Sequence, residues 1–315
     1  MRQRLWRLAP ADRDPVVLRH SRIYILPTPR GLALMGTLTT MLLTAMNYAL
    51  SLGYALTFLI GGLVAAALLG TFRNLAGLAV SPLTAGEAFA GGELVFSLSL
   101  ASSTRDRIGI EVAAQKGPAT TVDLSTGATR PVAVAVTTTR RGRAALGRLT
   151  LSTDYPLGLW RGWAYVHFPL IGIVYPAPEA GAPPLPPGMQ GSDVLRSARA
   201  SDAELAGVRE YQQGDALNRI AWKAVARGAG WYTKQFEGSG GHGALALDWA
   251  ELPAGLDIET RLSRLCAWVL AAERETRPFA LRIPGSDLAF GQGAGQRRTA
   301  LTALALFDPL ALRNL

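Results

Sequence analysis

Between Gly31 and Gly70 the chain runs forty residues without an Asp, Glu, Lys or Arg. A helix rises about 1.5 Å per residue, so roughly 20 residues cross a hydrocarbon core about 30 Å thick. The run therefore predicts two membrane spans laid back to back. Its break falls at Asn47-Tyr48, followed by Ser51 and Gly53, residues suited to a tight turn at the far membrane face. Tyr48 and Tyr54 are expected at interfacial depth, where a ring carrying a hydroxyl is well placed. The competing reading is two buried helices of a soluble core, but globular proteins seldom leave so long a segment uncharged.

Arg2, Arg4, Arg7, Arg13, Arg19, Arg22 and Arg30 precede the run, opposed only by Asp12 and Asp14, and Arg73 follows it. The expected turn carries no charge. Cations flank the cytoplasmic ends of spans, so both termini and the soluble regions are predicted on the cytoplasmic side of the cell's inner (plasma) membrane. The first thirty residues lack the leader and small-residue cleavage site of a secretory signal, so the helical pair is expected to stay as an anchor.

A net charge of +9 invites a nucleic-acid reading, but much of the excess lies beside the expected membrane, where each cation gains about 1 kcal/mol from anionic lipids. No basic run with interleaved aromatics follows, which argues for a lipid bilayer and against nucleic acid as a partner. The single cysteine, Cys266, excludes an internal disulfide and thiolate-rich zinc sites. It falls in LSRLCAWVL, on the apolar face of an expected helix, where a thiol behaves as a small hydrophobe.

Some 245 residues follow Gly70, enough for two small domains. From 71 to 176 the pattern is β-like. In ELVFSLSLAS (93–102), Val95, Ser97 and Ser99 alternate with Phe96, Leu98 and Leu100. RIGIEVAA, TTVDLSTG, RPVAVAVTT, AALGRLTLST and WAYVHFPL continue it at spacings near ten residues, predicting an antiparallel sandwich-like domain. Five prolines in residues 177–190 predict an exposed, stiff connection, and the linker is drawn at 177–200. Beyond it, 244–251 and 279–283 read as strands and 258–275 and 297–307 as helices. That order implies an abbreviated α/β unit with parallel pairing. The fold class expected is membrane-anchored α+β: a basic arm (1–30), a two-helix transmembrane hairpin (31–70), the sandwich-like domain, the linker and a C-terminal α/β domain (201–315).

Charged and aromatic residues crowd together between Gly207 and Glu237: Arg209, Glu210, Tyr211, Asp215, Arg219, Trp222, Lys223, Arg227, Lys234 and Glu237. Segment 214–227 has a helical pattern with Asp215 as cap and Leu217, Ile220, Ala221 and Ala224 as its apolar stripe. Arg219, Lys223 and Arg227 then share one face, suited to a phosphate, an acidic headgroup or a partner's carboxylates. An internal ion network with Glu210, Asp215 and Glu237 is the alternative. No catalytic residue is assigned. His20, His167 and His242 are scattered, and no HExxH, GxSxG, phosphate loop or dinucleotide fingerprint is present. GSGGHG (238–243) reads as a flexible turn. Asp248 ends a hydrophobic strand with Glu251 near, so the two carboxylates form a candidate Mg²⁺ site, or a solvated strand end.

The stretch GVREYQQGDALNRIAWKAVAR, with Lys234 to Glu237 behind it, resembles the signature of domain-of-unknown-function family 58. Members show Arg-x-Tyr, a Gly-Asp pair and Arg-x-Ile-x-Trp-Lys, here Arg209, Tyr211, Gly214, Asp215, Arg219, Ile220, Trp222 and Lys223, followed by Ala226 and Arg227. Gln213 stands where the family often has proline, and Ala221 where it often has His or Asp. Members also begin with a two-helix hairpin and carry a Tyr-Pro-x-Gly-Leu element, matched at Tyr155, Pro156, Gly158 and Leu159. Many relatives continue into a von Willebrand factor A-like fold whose metal site begins Asp-x-Ser-x-Ser. Here Asp248, Ala250 and Leu252 lack both serines, and the C-terminal part is short for the distant ligands, so that domain is expected in degenerate, truncated form.

The resemblance implies a membrane-anchored adaptor or assembly factor, since relatives are encoded beside MoxR-type AAA+ ATPases, and a protein partner of that kind is expected. The alternatives are a metal-assisted hydrolase using Asp248 and Glu251, and a structural membrane scaffold in which Gly61-Gly62 permits close helix contact.

Overall fold

The alternation at 93–102 sets one face of the first core: Leu94, Phe96, Leu98 and Leu100 are fully buried, while Glu93 and Val95 turn outward. The structure, a computed structural model, describes residues 14–115, 117–188, 207–210, 232–235 and 244–308. The chain divides into two units, Met1–Val174 and Tyr175–Leu315. Its class is α+β with mostly antiparallel sheets and four α-helices among the described residues.

The first unit contains β1 (Val16–Val17), β2 (Ile23–Pro27), α1 (Pro29–Asn47), α2 (Ser51–Leu75), β3 (Ala79–Ala85), β4 (Glu87–Phe89) and β5 (Glu93–Ala101). It continues with β6 (Arg107–Ala114), β7 (Ala119–Leu124), β8 (Thr129–Thr137), β9 (Gly142–Ala145), β10 (Arg148–Thr153), β11 (Trp160–His167) and β12 (Ile171–Tyr175). Two antiparallel sheets, ordered β1-β3-β5-β8 and β2-β11-β10-β6-β7, are joined by a small one, β4-β12-β9. Phe96 lies opposite Val134 and Leu98 opposite Val132, so both strands aim the same residues inward. These meet Ile110, Val112, Leu149, Leu151, Ala164 and Val166 of the second sheet in one core. Each fully buried Leu, Val or Phe contributes roughly 1.5–3 kcal/mol.

Three sequence expectations change here. Part of the basic arm is not an arm: Ile23 to Pro27 form an edge strand on β11, with Tyr24 opposite Trp163, and Val16-Val17 pair with β3. The segment AALGRLTLST is two strands rather than one. Gly147, at φ 74°, takes the left-handed turn that separates β9 from β10. Finally, the expected exposed, stiff connection is also fastened: its Glu179 and Pro183 bond to the helix Ile258–Arg274, as described below.

The second unit contains β13 (Gly207–Glu210), β14 (Tyr232–Gln235), β15 (Leu245–Asp248), α3 (Ile258–Arg274), β16 (Phe279–Ile283), β17 (Ser286–Gly291) and α4 (Gly293–Ala305). The Asp257 carboxylate caps α3 by accepting from the Thr260 amide, and Leu262, Leu265, Cys266 and Val269 form its buried face. The expected parallel pairing is present between β15 and β16. An unanticipated strand, β17, returns antiparallel on β16 after Pro284-Gly285, with Gly285 at φ 84°. The Pro-Gly pair was the available signal, a two-residue turn between apolar segments.

Candidate functional site

Helices α1 and α2 are joined by Tyr48 to Leu50 and meet closely at that end, where the Leu50 amide donates to the Ala45 carbonyl at 3.0 Å. Gly53 lets α2 approach Ala45, since a Cβ there would lie 3.0 Å from the Ala45 Cβ. The outer surfaces carry large apolar side chains that touch little else. Leu52 is 81% exposed, Leu59 72% and Phe58 68%. Over its most apolar stretch, only 17% of α2 is buried. A core helix of a soluble protein buries that surface, so this arrangement opposes the soluble-core reading. At 25 residues, α2 is the one helix among the described residues long and apolar enough to cross a membrane. The helix of the first expected span, α1, is less apolar because it carries Arg30, Asn47 and four threonines. Each of those threonine hydroxyls donates within the helix, Thr37 to Ala33, Thr39 to Met35, Thr40 to Gly36 and Thr44 to Thr40.

The opposite end of the helix pair is fixed to the sheets by polar contacts that sequence reasoning missed. The Thr28 hydroxyl caps α1 by accepting from the Gly31 amide at 3.1 Å and donates to the Gly158 carbonyl at 2.7 Å. Gly31 is required there: an added Cβ would fall 2.1 Å from the Leu159 carbonyl oxygen. On α2, the Asn74 amide nitrogen donates to Ile108 O and Thr153 Oγ1, both at 2.8 Å, and its oxygen accepts from the Ile108 amide. Thr71 Oγ1 lies 2.7 Å from the Tyr155 carbonyl oxygen, and Trp160 Nε1 donates to Val64 O at 3.0 Å.

Arg107 closes this junction. Its fully buried guanidinium donates to the Asn74 carbonyl, to Ala76 O at 2.9 Å and to Ser102 Oγ at 2.8 Å. Two of these acceptors are carbonyls at the end of α2, where a cation also complements the helix dipole. Burial, aided by the charge of Arg105, pushes the Arg107 pKa down to about 10, which leaves it protonated near neutrality. The Tyr155-Pro156-x-Gly158-Leu159 element supplies the other half of the junction. Its carbonyls meet Thr71 and Thr28, and Pro156 packs on Gly70.

Little of the charged segment at 207–237 falls within the described residues. Arg209 and Glu210 lie on β13 and Lys234 on β14, with Arg209 opposite Thr233 and Lys234 opposite Val208 in an antiparallel pair. Tyr211, Asp215, Arg219, Trp222, Lys223, Arg227 and Glu237 lie outside the described residues.

Asp248 sits at the end of β15 as expected, and its carboxylate accepts from the Ala250 amide at 2.8 Å, capping the turn Trp249–Glu251. Glu251 is exposed on that turn. Among the described residues no three His, Cys, Asp or Glu side chains gather as a metal-ligand set, so Asp248 and Glu251 find no third donor there. Cys266 is buried and donates to the Pro176 carbonyl at 3.2 Å, and burial pushes its pKa up to about 12. An inert structural thiol results. Nearby, Arg264 binds both oxygens of Glu179 at 2.7 and 2.9 Å, which holds the Glu179 carboxyl below its ordinary range. Trp268 Nε1 donates to Pro183 O at 2.9 Å, completing the attachment of residues 179–183 to α3.

No protein-family model matches the chain, and a search of curated proteins finds no match.

Proposed function

We propose that this chain is a membrane-anchored adaptor: α1 and α2 both cross the bilayer, and both globular units lie in the cytoplasm. The carrying observation is the contrast within the helix pair, whose outer surface exposes Leu52, Phe58 and Leu59 while its base is tied into the sheets. Three further features support two spans. At 19 residues α1 is about 28 Å long, close to a hydrocarbon core. Its threonine hydroxyls are satisfied locally, which lowers the penalty for placing them in lipid. Arg19, Arg22, Arg30 and Arg73 cluster in sequence around the base and none lies at the turn, which favours a cytoplasmic base.

The adaptor role rests on the resemblance of 207–237 to domain-of-unknown-function family 58, with a MoxR-type AAA+ ATPase as the partner class. Arg219, Lys223 and Arg227 are the docking cations in this reading.

Two experiments test it. Leu50→Cys, placed at the turn, is expected to react with a membrane-impermeant maleimide from outside intact cells, while Cys266 stays silent. Labelling only after lysis rejects the orientation. Charge reversal of Arg219, Lys223 and Arg227 is expected to abolish association with a MoxR-type AAA+ ATPase from the same cell. Unchanged association in a folded variant rejects the docking role.

A further inference from the structure

Strand alternation gives β11 two chemically different faces. Gly162, Ala164 and Val166 are buried, whereas Arg161, Trp163 and Tyr165 project from the opposite face. β2 places Leu26 opposite Arg161 and Tyr24 opposite Trp163. Tyr24 stacks on Trp163 with ring centres 5.9 Å apart, and the Arg148 guanidinium covers Tyr165 at 4.3 Å. At the α1 end of this face lies a cleft of about 550 Å³, lined by Leu26, Arg30, Asp154, Gly158, Arg161 and Trp163.

The charges in this cleft are unevenly engaged. Arg161 is shared between Glu111 at 3.0 Å and Asp154 at 3.7 Å, and its side chain remains about half exposed. Arg30 is exposed and makes no hydrogen bond or ion pair among the described residues. The cleft is lined by two guanidiniums and one carboxylate, Asp154, while Glu111 takes up Arg161 from outside the lining. Arg30 is thus left as a cation with no carboxylate partner among the described residues, suited to one phosphodiester.

Position identifies the source of that phosphate. Arg30 is the second residue of α1, so a helix spanning the hydrocarbon core places it in the headgroup layer. The Tyr155–Trp160 loop lies at the same level, since Pro156 packs on Gly70 and the Trp160 indole reaches Val64. Its Leu157 is 49% exposed. Pro156 and the Trp160 indole thus lie against α2, while Arg30 at the foot of α1 and Arg161 on β11 lie toward the sheet, the same order as acyl chain and phosphate in a phospholipid.

We propose that this cleft seats the phosphate of an anionic phospholipid of the cytoplasmic leaflet, held between Arg30 and Arg161, with Leu157 and Trp160 against the start of its acyl chains. The inference rests on the reading that α1 and α2 cross the bilayer. A free phosphate offers the same headgroup chemistry without the chains, and the test separates the two.

The full chain in neutral detergent is titrated with phosphatidylglycerol, phosphatidylcholine or orthophosphate, and tryptophan fluorescence and melting temperature are followed. Phosphatidylglycerol is expected to shift both, and the other two to shift neither. Arg30→Gln removes a charge that has no hydrogen-bond or ion-pair partner among the described residues, so folding is retained while apparent affinity for phosphatidylglycerol falls about fivefold. Asp154→Asn is expected to raise that affinity. Equal responses to the two lipids, an equal response to orthophosphate, or affinity unchanged in both variants overturns the proposal. Carbonate extraction of native membranes is run alongside. A chain that resists extraction but shows no lipid preference defeats this inference alone, whereas a chain that washes off defeats the anchor reading and this inference with it.

Discussion

The two halves of α2 are built for different surroundings. Its last turns are polar and buried: Thr71 and Asn74 bond to the sheet region, and Arg107 donates to the final carbonyls. Its first turns are apolar and exposed, with most of the Leu52 and Leu59 side chains uncovered by the described residues. A polar group inside protein needs a partner, and an apolar group outside it needs a non-aqueous neighbour. The helix is therefore matched to two media along one axis, and the change between them falls beside the Tyr155–Trp160 loop.

The contrast breaks first at Arg107. Arg107→Met fills a similar volume but leaves the Asn74 and Ala76 carbonyls without their donor, at about 1–3 kcal/mol each. We expect a loss of about 3 kcal/mol or more in denaturant unfolding of the detergent-solubilised chain, and a change below about 1 kcal/mol would show that the junction does not depend on this residue. At the other end of the helix, Leu59→Lys separates the two media directly. In lipid it costs roughly 3 kcal/mol of insertion free energy, read as the fraction glycosylated or protected in an insertion assay. If Leu59 faced water, the change would stay within about 0.5 kcal/mol.

A third prediction sets the buried Arg107, which has carbonyl partners, against Arg264, which has a carboxylate. Glu179 is held below its ordinary range by Arg264, so its stabilisation is complete above the unfolded carboxyl pKa and is lost as pH falls through the lower folded value. Acid unfolding of the second unit is expected to shift to higher pH in Arg264→Met, and coincident acid transitions in variant and parent would remove the bridge from the account. The Trp249 and Trp268 environments report it by fluorescence.

The smallest effect is expected at Thr40→Val in α1. Among the described residues its hydroxyl bonds only to the Gly36 carbonyl in the same helix, so stability should change by less than about 0.5 kcal/mol. A larger loss would show that the hydroxyl meets a partner outside α1.

Much of the first unit was legible from residue order. Alternation in 93–102 marked strand β5 to within one residue and RIGIEVAA marked β6 at its observed bounds, because burying one face of a sheet enforces a period of two. The apolar face of α3 was visible for the corresponding helical reason. Strand β2 was hidden by its charged neighbours Arg22 and Arg30, and β17 by its exposed, weakly alternating residues. For the candidate site, the exposed leucines of α2 were apparent as an uncharged run. Thr28, Asn74 and Arg107 carried no signal at all, since each draws its meaning from partners 30 to 130 positions away.

By itself, the sequence determined where apolar surface must go: an unbroken uncharged run has to leave water, and alternating strands have to share a core. Only the tertiary structure decided where those two demands meet. Hydrogen-bond partners distant in sequence, gathered at Thr28, Asn74, Arg107 and the Tyr155–Trp160 loop, fix that boundary, and local residue patterns hold no record of such pairings.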